Sequence, residues 1–114
     1  MKILTRAFPD ALVATVDAPR IDAMAAVEFK DSLCACCTGA PPRIILDLGN
    51  VTFVDSSGLG AIIGAMKLLA PERKLELAAL QPAVTKVFNL TRMDQIFTIH
   101  DTLDDARSGL SIAS

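Results

Sequence analysis

Residues Arg43-Ile44-Ile45-Leu46-Asp47-Leu48 constrain this chain more than any other segment. The apolar residues do not alternate with polar ones, so a strand formed here must be covered on both faces. Such strands belong to sheets whose parallel neighbours are joined by helical crossovers. The rest of the chain supplies those parts. "KILTRAF" and "ALVATVD" are strand-like runs around Pro9-Asp10, which predicts an opening antiparallel hairpin. "IDAMAAVEFKDSLCACC" switches to helical spacing, with Asp22 expected as N-cap and Ala26, Phe29, Leu33 and Cys36 on one face. Gly39, ahead of Pro41-Pro42, suits the left-handed residue past the helix end. A second helix is predicted from about Ser56 to Ala70, stopped by Pro71. "KLELAAL" sets Leu75, Leu77 and Ala79 against Lys74 and Glu76, a strand alternation. "PAVTKVFNL" opens with Pro82 at a first helical position and carries Val84, Val87 and Phe88. "IFTIH" reads as a last strand, and Thr102 with Asp105 forms a capping box for a helix from Leu103 to about Leu110. The expectation is a single α/β domain over residues 1–114, with about five strands and four helices in the order ββαβαβαβα.

Charge and length narrow the function. The net charge is −2, no basic cluster is present, and no aromatics are interleaved with Arg or Lys, so nucleic-acid binding lacks its electrostatic basis. The longest apolar run, Gly58 to Met66, is about half of what a membrane span requires. "MKILTRAFPD" lacks the apolar core of a signal peptide, because Thr5 and Arg6 interrupt it. A cytoplasmic chain with no direct membrane insertion is expected. Cys34, Cys36 and Cys37 crowd "LCACC", an odd and clustered set that does not describe a disulfide framework. They are expected as small buried or half-buried helix residues, with an oxidation-prone surface thiol as the alternative. His100 is the sole histidine and lies far from them in sequence, so no metal site and no cofactor are expected.

One segment stands out chemically. "VTFVDSSGLGAII", residues 51–63, interrupts an apolar stretch with Asp55-Ser56-Ser57-Gly58 where a strand region gives way to a helix. In open α/β sheets, ligands and partners gather beyond the carboxyl ends of the strands, and this segment lies there. Asp55 is placed to cap the helix by accepting the N–H of Ser57 or Gly58. Leu59, Ile62, Ile63, Met66 and Leu69 form an apolar stripe suited to the sheet. Beside it, Ser57, Gly60, Ala61, Gly64 and Ala65 form a strip of small residues, open to close approach by a neighbouring element or a separate protein.

Four readings of this turn compete. It is a helix cap and nothing more; it carries a nucleophilic serine; it cradles a nucleotide phosphate; or it accepts a phosphoryl group. A nucleophile elbow wants glycine two residues before the serine, and none is there; the only imidazole, His100, has no evident acidic orienter beyond its neighbour Asp101. "SSGLGA" has small residues at a helix start but no Walker lysine and not the full G-x-G-x-x-G spacing. A phosphate on the first turn adds ≈ −1.5 to −2 charge and is favoured there by free N–H groups and the helix dipole.

"IILDLGNVTFVDSSGLGAIIGAMKLL" resembles the signature of the STAS domain, shared by anti-sigma factor antagonists and the cytoplasmic tails of sulphate transporters. The likeness extends across nearly the whole chain: Arg20-Ile21-Asp22 stands where the family has a Gly-x-Leu-Asp type turn, and "LQPAVTKVFNLTRMDQIFTIHDTLDDA" resembles its closing segment. Pro19-Arg20 and Arg92-Met93-Asp94 depart from the usual glycine-containing patterns. The resemblance implies a STAS-like mixed sheet with four helices and no catalytic residue. It implies phosphorylation at Ser57, the second serine of the turn, by an anti-sigma factor that is also a GHKL-type serine-protein kinase. A PP2C-type phosphatase would reset the switch. Asp22, Asp55, Ser56, Gly58, Leu59 and Gly60 would shape the partner-binding surface, and a weak homodimer is compatible with it. The alternative reading is an accessory subunit of an ABC-type lipid transporter, docking by the same surface without phosphorylation; a nucleotide-sensing module is the third.

Overall fold

A computed structural model describes the backbone of residues 1–112 and the side chains of residues 1–107. In chain order the elements are β1 (Ile3–Ala7), β2 (Ala11–Val16), β3 (Arg20–Ile21), α1 (Ala26–Cys36), β4 (Arg43–Asp47), β5 (Phe53–Val54), α2 (Ser56–Leu69), β6 (Lys74–Ala78), α3 (Pro82–Leu90), a 3₁₀ turn (Met93–Gln95), β7 (Ile99–His100) and α4 (Leu103–Ile112). Five strands form one mixed sheet in the order β1-β2-β4-β6-β7, antiparallel only between β1 and β2.

The non-alternating β4 run is explained by the two layers it separates. Ile44 and Leu46 join the main core with Phe29 and Leu33 of α1, Ile62 and Leu69 of α2, and Val84 and Phe88 of α3. Ile45 points the other way and packs with Ala11, Val13, Ala78 and Ala106 of α4. Successive strand residues face opposite sides, so consecutive isoleucines serve two cores.

Local signals placed most element ends. α2 runs within one residue of its predicted span. Gly39 adopts φ 73°, Pro82 opens α3, and the Thr102 hydroxyl accepts the Asp105 N–H at 3.0 Å. Asp22 is a correction. It does not cap α1, which begins at Ala26 with no side-chain bond at its cap residue Ala25. Instead its carboxylate accepts the Met24 N–H and the Arg20 Nε–H, each at 3.1 Å, and closes a turn ahead of the helix. The buried face of α1 is also shifted: Phe29 and Leu33 continue to Cys37, four residues on, while Cys36 is only half-buried. Burial pushes the Cys37 thiol up to about 11 and raises that of Cys34, which leaves both poor nucleophiles near neutral pH.

Two features had no sequence signal. β3 and β5 pair in parallel as a separate two-stranded ribbon, a pairing that the predicted element order did not include. Two residues are too few to show a period. The second is Glu76, on the polar side of β6 yet only 5% exposed. Its carboxylate accepts two hydrogen bonds from Arg43, at 2.5 and 2.8 Å, and lies 2.8 Å from His100 Nε2. Arg43 also donates to the Ala106 carbonyl at 3.1 Å and so fastens α4 to the sheet.

Candidate functional site

The small ribbon builds the site. Parallel pairing of Arg20 with Phe53 and Ile21 with Val54 brings the next residues of both segments, Asp22 and Asp55, to the same end. Asp55 leaves β5 in extended conformation and caps α2, its Oδ1 accepting the Gly58 N–H at 2.9 Å. Its second oxygen accepts the Ala23 N–H at 3.2 Å. One carboxylate therefore ties the start of α2 to the loop that precedes α1. The cap is real, and it also fixes a platform.

On that platform Ser56 and Ser57 occupy the first turn of α2, and both are exposed. They stand at the end of a 14-residue helix where unpaired N–H groups and the dipole favour negative charge, by about 0.3–1 kcal/mol at such exposure. Gly60 is exposed as well, and a Cβ there would have nothing within 4 Å. Gly58 and Leu59 are corrections to the expected docking surface, because both are buried. Leu59 anchors α2 in the main core. A Cβ on Gly58 would overlap the Ile21 carbonyl oxygen and sit 2.7 Å from its carbon. Gly58 acts by letting α2 touch β3, and a partner cannot reach it. The strip of small residues is likewise divided: Ala61 and Ala65 are buried, and Gly64 faces the alkyl chain of Lys30 on α1.

Arg20 completes the surround. Its guanidinium bonds to Asp22 and stacks 4.3 Å from the Phe53 ring centroid. The Arg20 hydrogen bond holds the Asp22 carboxyl below the usual carboxylate range. Sequence reasoning missed both Arg20 and the Ala23 N–H. The first shows itself only when β3 and β5 are placed in register, and the second is a backbone group with no side-chain mark. His100 projects from the α4 side of the sheet, where Glu76 engages it, so the sheet stands between its imidazole and the α2 layer that carries Ser57. Among the described residues, no group of His, Cys, Asp and Glu is arranged to hold a metal ion, and no helix is long and apolar enough to cross a membrane.

Known proteins share this architecture. The sequence profile of the STAS domain matches residues 2–106. The anti-sigma F factor antagonist of Paenibacillus polymyxa is 32% identical over 73 residues, 63% of this chain and 62% of its own length. The chain thus spans about three fifths of the length of the curated relatives it matches. The crystal structure of an anti-sigma factor antagonist from Mycobacterium paratuberculosis superimposes with a TM-score of 0.82 at 28% identity, covering 95% of this chain and 92% of that one. SpoIIAA of Bacillus, a cell fate determinant solved in its phosphorylated form, superimposes with a TM-score of 0.67 at 21% identity over 96% and 99% of the two chains, a likeness of fold. With the mixed five-stranded sheet and four helices already in view, a profile match over nearly the whole chain places this protein in the STAS domain family.

Proposed function

We propose that this chain is an anti-sigma factor antagonist, a binding protein that phosphorylation of Ser57 turns off. Its partner is an anti-sigma factor that is also a GHKL-type serine-protein kinase and carries the ATP and magnesium. A PP2C-type phosphatase restores the hydroxyl, and the cycle is cytoplasmic. The single observation that carries this reading is the exposed Ser57 hydroxyl on a helix start that Asp55 holds rigid from two sides. In the transfer, Ser57 Oγ forms a bond to the γ-phosphorus of ATP, ADP leaves, and the hydroxyl proton is released. The helix N-terminus tolerates the added dianion, so the fold persists. A docked partner must desolvate that dianion beside Asp55, and it leaves.

The test is direct. Incubated with the kinase and ATP, the wild-type chain takes up one phosphoryl group and Ser57→Ala takes up none, as read by intact-mass spectrometry. Equal incorporation into Ser57→Ala removes Ser57 from the role. Ser57→Asp weakens partner binding about a hundredfold, while its melting temperature stays within about 2 °C of wild type, as for other exposed substitutions.

A further inference from the structure

The hydrogen-bond phase of β1 leaves one row of backbone groups without a partner. β1 closes one side of the sheet and pairs only with β2. The Phe8 N–H donates to the Ala11 carbonyl at 2.8 Å, and the Asp17 N–H to the Lys2 carbonyl at 2.9 Å. With Leu4 opposite Thr15 and Arg6 opposite Val13, the even-numbered residues are therefore the ones that exchange bonds with β2. The N–H and C=O groups of Ile3, Thr5 and Ala7 point the other way, off the sheet. Leu4 to Ala7 are all exposed, so both faces of the strand stay open. Such an edge is a template for a further strand.

The side chains decide which strand fits. Ile3 packs on the main core and Phe8 on the small core beneath α4, so by alternation Lys2, Leu4 and Arg6 share the α4 side with Phe8. Basic residues far apart in sequence meet there. The Arg6 guanidinium lies 5.6 Å from the Phe8 ring centroid, and that of Arg107, carried across by α4, lies 4.9 Å from the same centroid. Among the described residues no carboxylate pairs with either arginine. Asp10, the nearest acid in sequence, acts on Arg43. Lys2 meets Asp17 only at 4.0 Å, and its side chain is 69% exposed. A second β1 would set this row of cations against itself, the repulsion by which edge lysines keep sheets apart. The geometry points to an extended acidic segment of another protein, a strand that hydrogen-bonds to Ile3, Thr5 and Ala7 and carries carboxylates opposite Lys2 and Arg6. Its residue opposite Leu4, between the two acids, is apolar. The pattern is acid, any, apolar, any, acid, because residues opposite Lys2, Leu4 and Arg6 are two apart and fall on one face. These are the closely spaced, non-hydrogen-bonded pairs, and opposite charges across them stabilise the added strand. No residue of this edge belongs to the platform that carries Ser57.

The experiment follows the backbone amides of the isotope-labelled chain by NMR during titration with acetyl-Gly-Glu-Thr-Val-Thr-Glu-Gly-amide, a probe that reads the same in either strand direction. Saturable shifts are expected at residues 2–7, with a Kd of about 1 mM or tighter, and the Thr5 and Ala7 N–H groups exchange more slowly with the probe bound. Replacing both Glu of the probe by Lys weakens binding by about tenfold or more. Thr5→Pro removes one outward N–H and no bond of the β1–β2 ladder, so its melting temperature stays within about 3 °C of wild type while the probe no longer binds. Arg6→Glu keeps every backbone group of the edge and weakens binding by about tenfold, a result that stands whether or not the proline variant folds. No saturable shift at β1 overturns the site. Equal affinity for the Lys probe, or an unchanged affinity in Arg6→Glu, overturns the acidic occupant. So does a wild-type homodimer in sedimentation velocity that Thr5→Pro dissolves, which would make the occupant a second copy of this chain.

Discussion

Glu76→Ala is expected to lower folding stability by about 3 kcal/mol, the lower part of the range for breaking a buried ion pair. The figure sits low because Arg43, left without its carboxylate, keeps some contact with water: its side chain is 23% exposed. The loss has two parts. Arg43 forfeits two short hydrogen bonds, and His100 forfeits its partner on Nε2. Because Arg43 also holds the Ala106 carbonyl, α4 should loosen first, seen as faster amide exchange in that helix than elsewhere. Urea denaturation measures the total, and a loss under about 1 kcal/mol would mean the network behaves as a surface pair. Exchanging both partners, Arg43→Met with Glu76→Leu, recovers much of the stability, since no orphaned charge is then left behind.

The same residue sets an acid limit. Burial alone pushes the Glu76 carboxyl up, but hydrogen bonds from Arg43 and His100 outweigh it and hold it below its ordinary value of 4.5. The unfolded chain therefore takes up this proton first as pH falls. The stabilisation is complete above the unfolded value and is lost as pH drops through the folded one. Urea midpoints of wild type should fall below about pH 4.5, and Glu76→Ala should lose that part of the acid dependence.

Gly58→Ala is the second large effect, and two terms of opposite sign decide it. Alanine in a helix is worth about 1 kcal/mol over glycine. Against that, the new methyl would overlap the Ile21 carbonyl, a backbone group that cannot rotate away, and overpacking of this kind costs about 1–3 kcal/mol or more. Because the overlap is with backbone, the steric term sits at the upper end of that range and wins, with a net loss of about 2 kcal/mol by calorimetric melting. Separating α2 from β3 also pulls Asp55 from the Ala23 N–H, so partner binding falls together with stability. Gly60→Ala makes the contrast: with nothing in the way of its methyl, it gains about 0.5–1 kcal/mol. A gain in Gly58→Ala as well would show that β3 and α2 are not held in contact.

Much of this could be read locally. The run at Ile44-Ile45-Leu46 demanded two covered faces, Asp55 announced a cap, and the resemblance around Asp55-Ser56-Ser57-Gly58 named the family the profile match then established. Asp22 shows the limit of such reading. Its type and position fit a cap, but Arg20 and Met24 claim its oxygens first. Cys36 and Cys37 show another, since one residue of helix phase decides which thiol is buried.

What the sequence determined unaided is whatever nearest neighbours enforce: strand or helix by period, ends by caps and prolines, and a hydroxyl pair at a helix start. Tertiary structure alone decided that Gly58 is a contact for Ile21, that Glu76 is buried, and that Asp55 reaches the Ala23 N–H. Each of these joins segments at least 24 residues apart along the chain, and no local pattern records a meeting that only the packing of whole elements brings about.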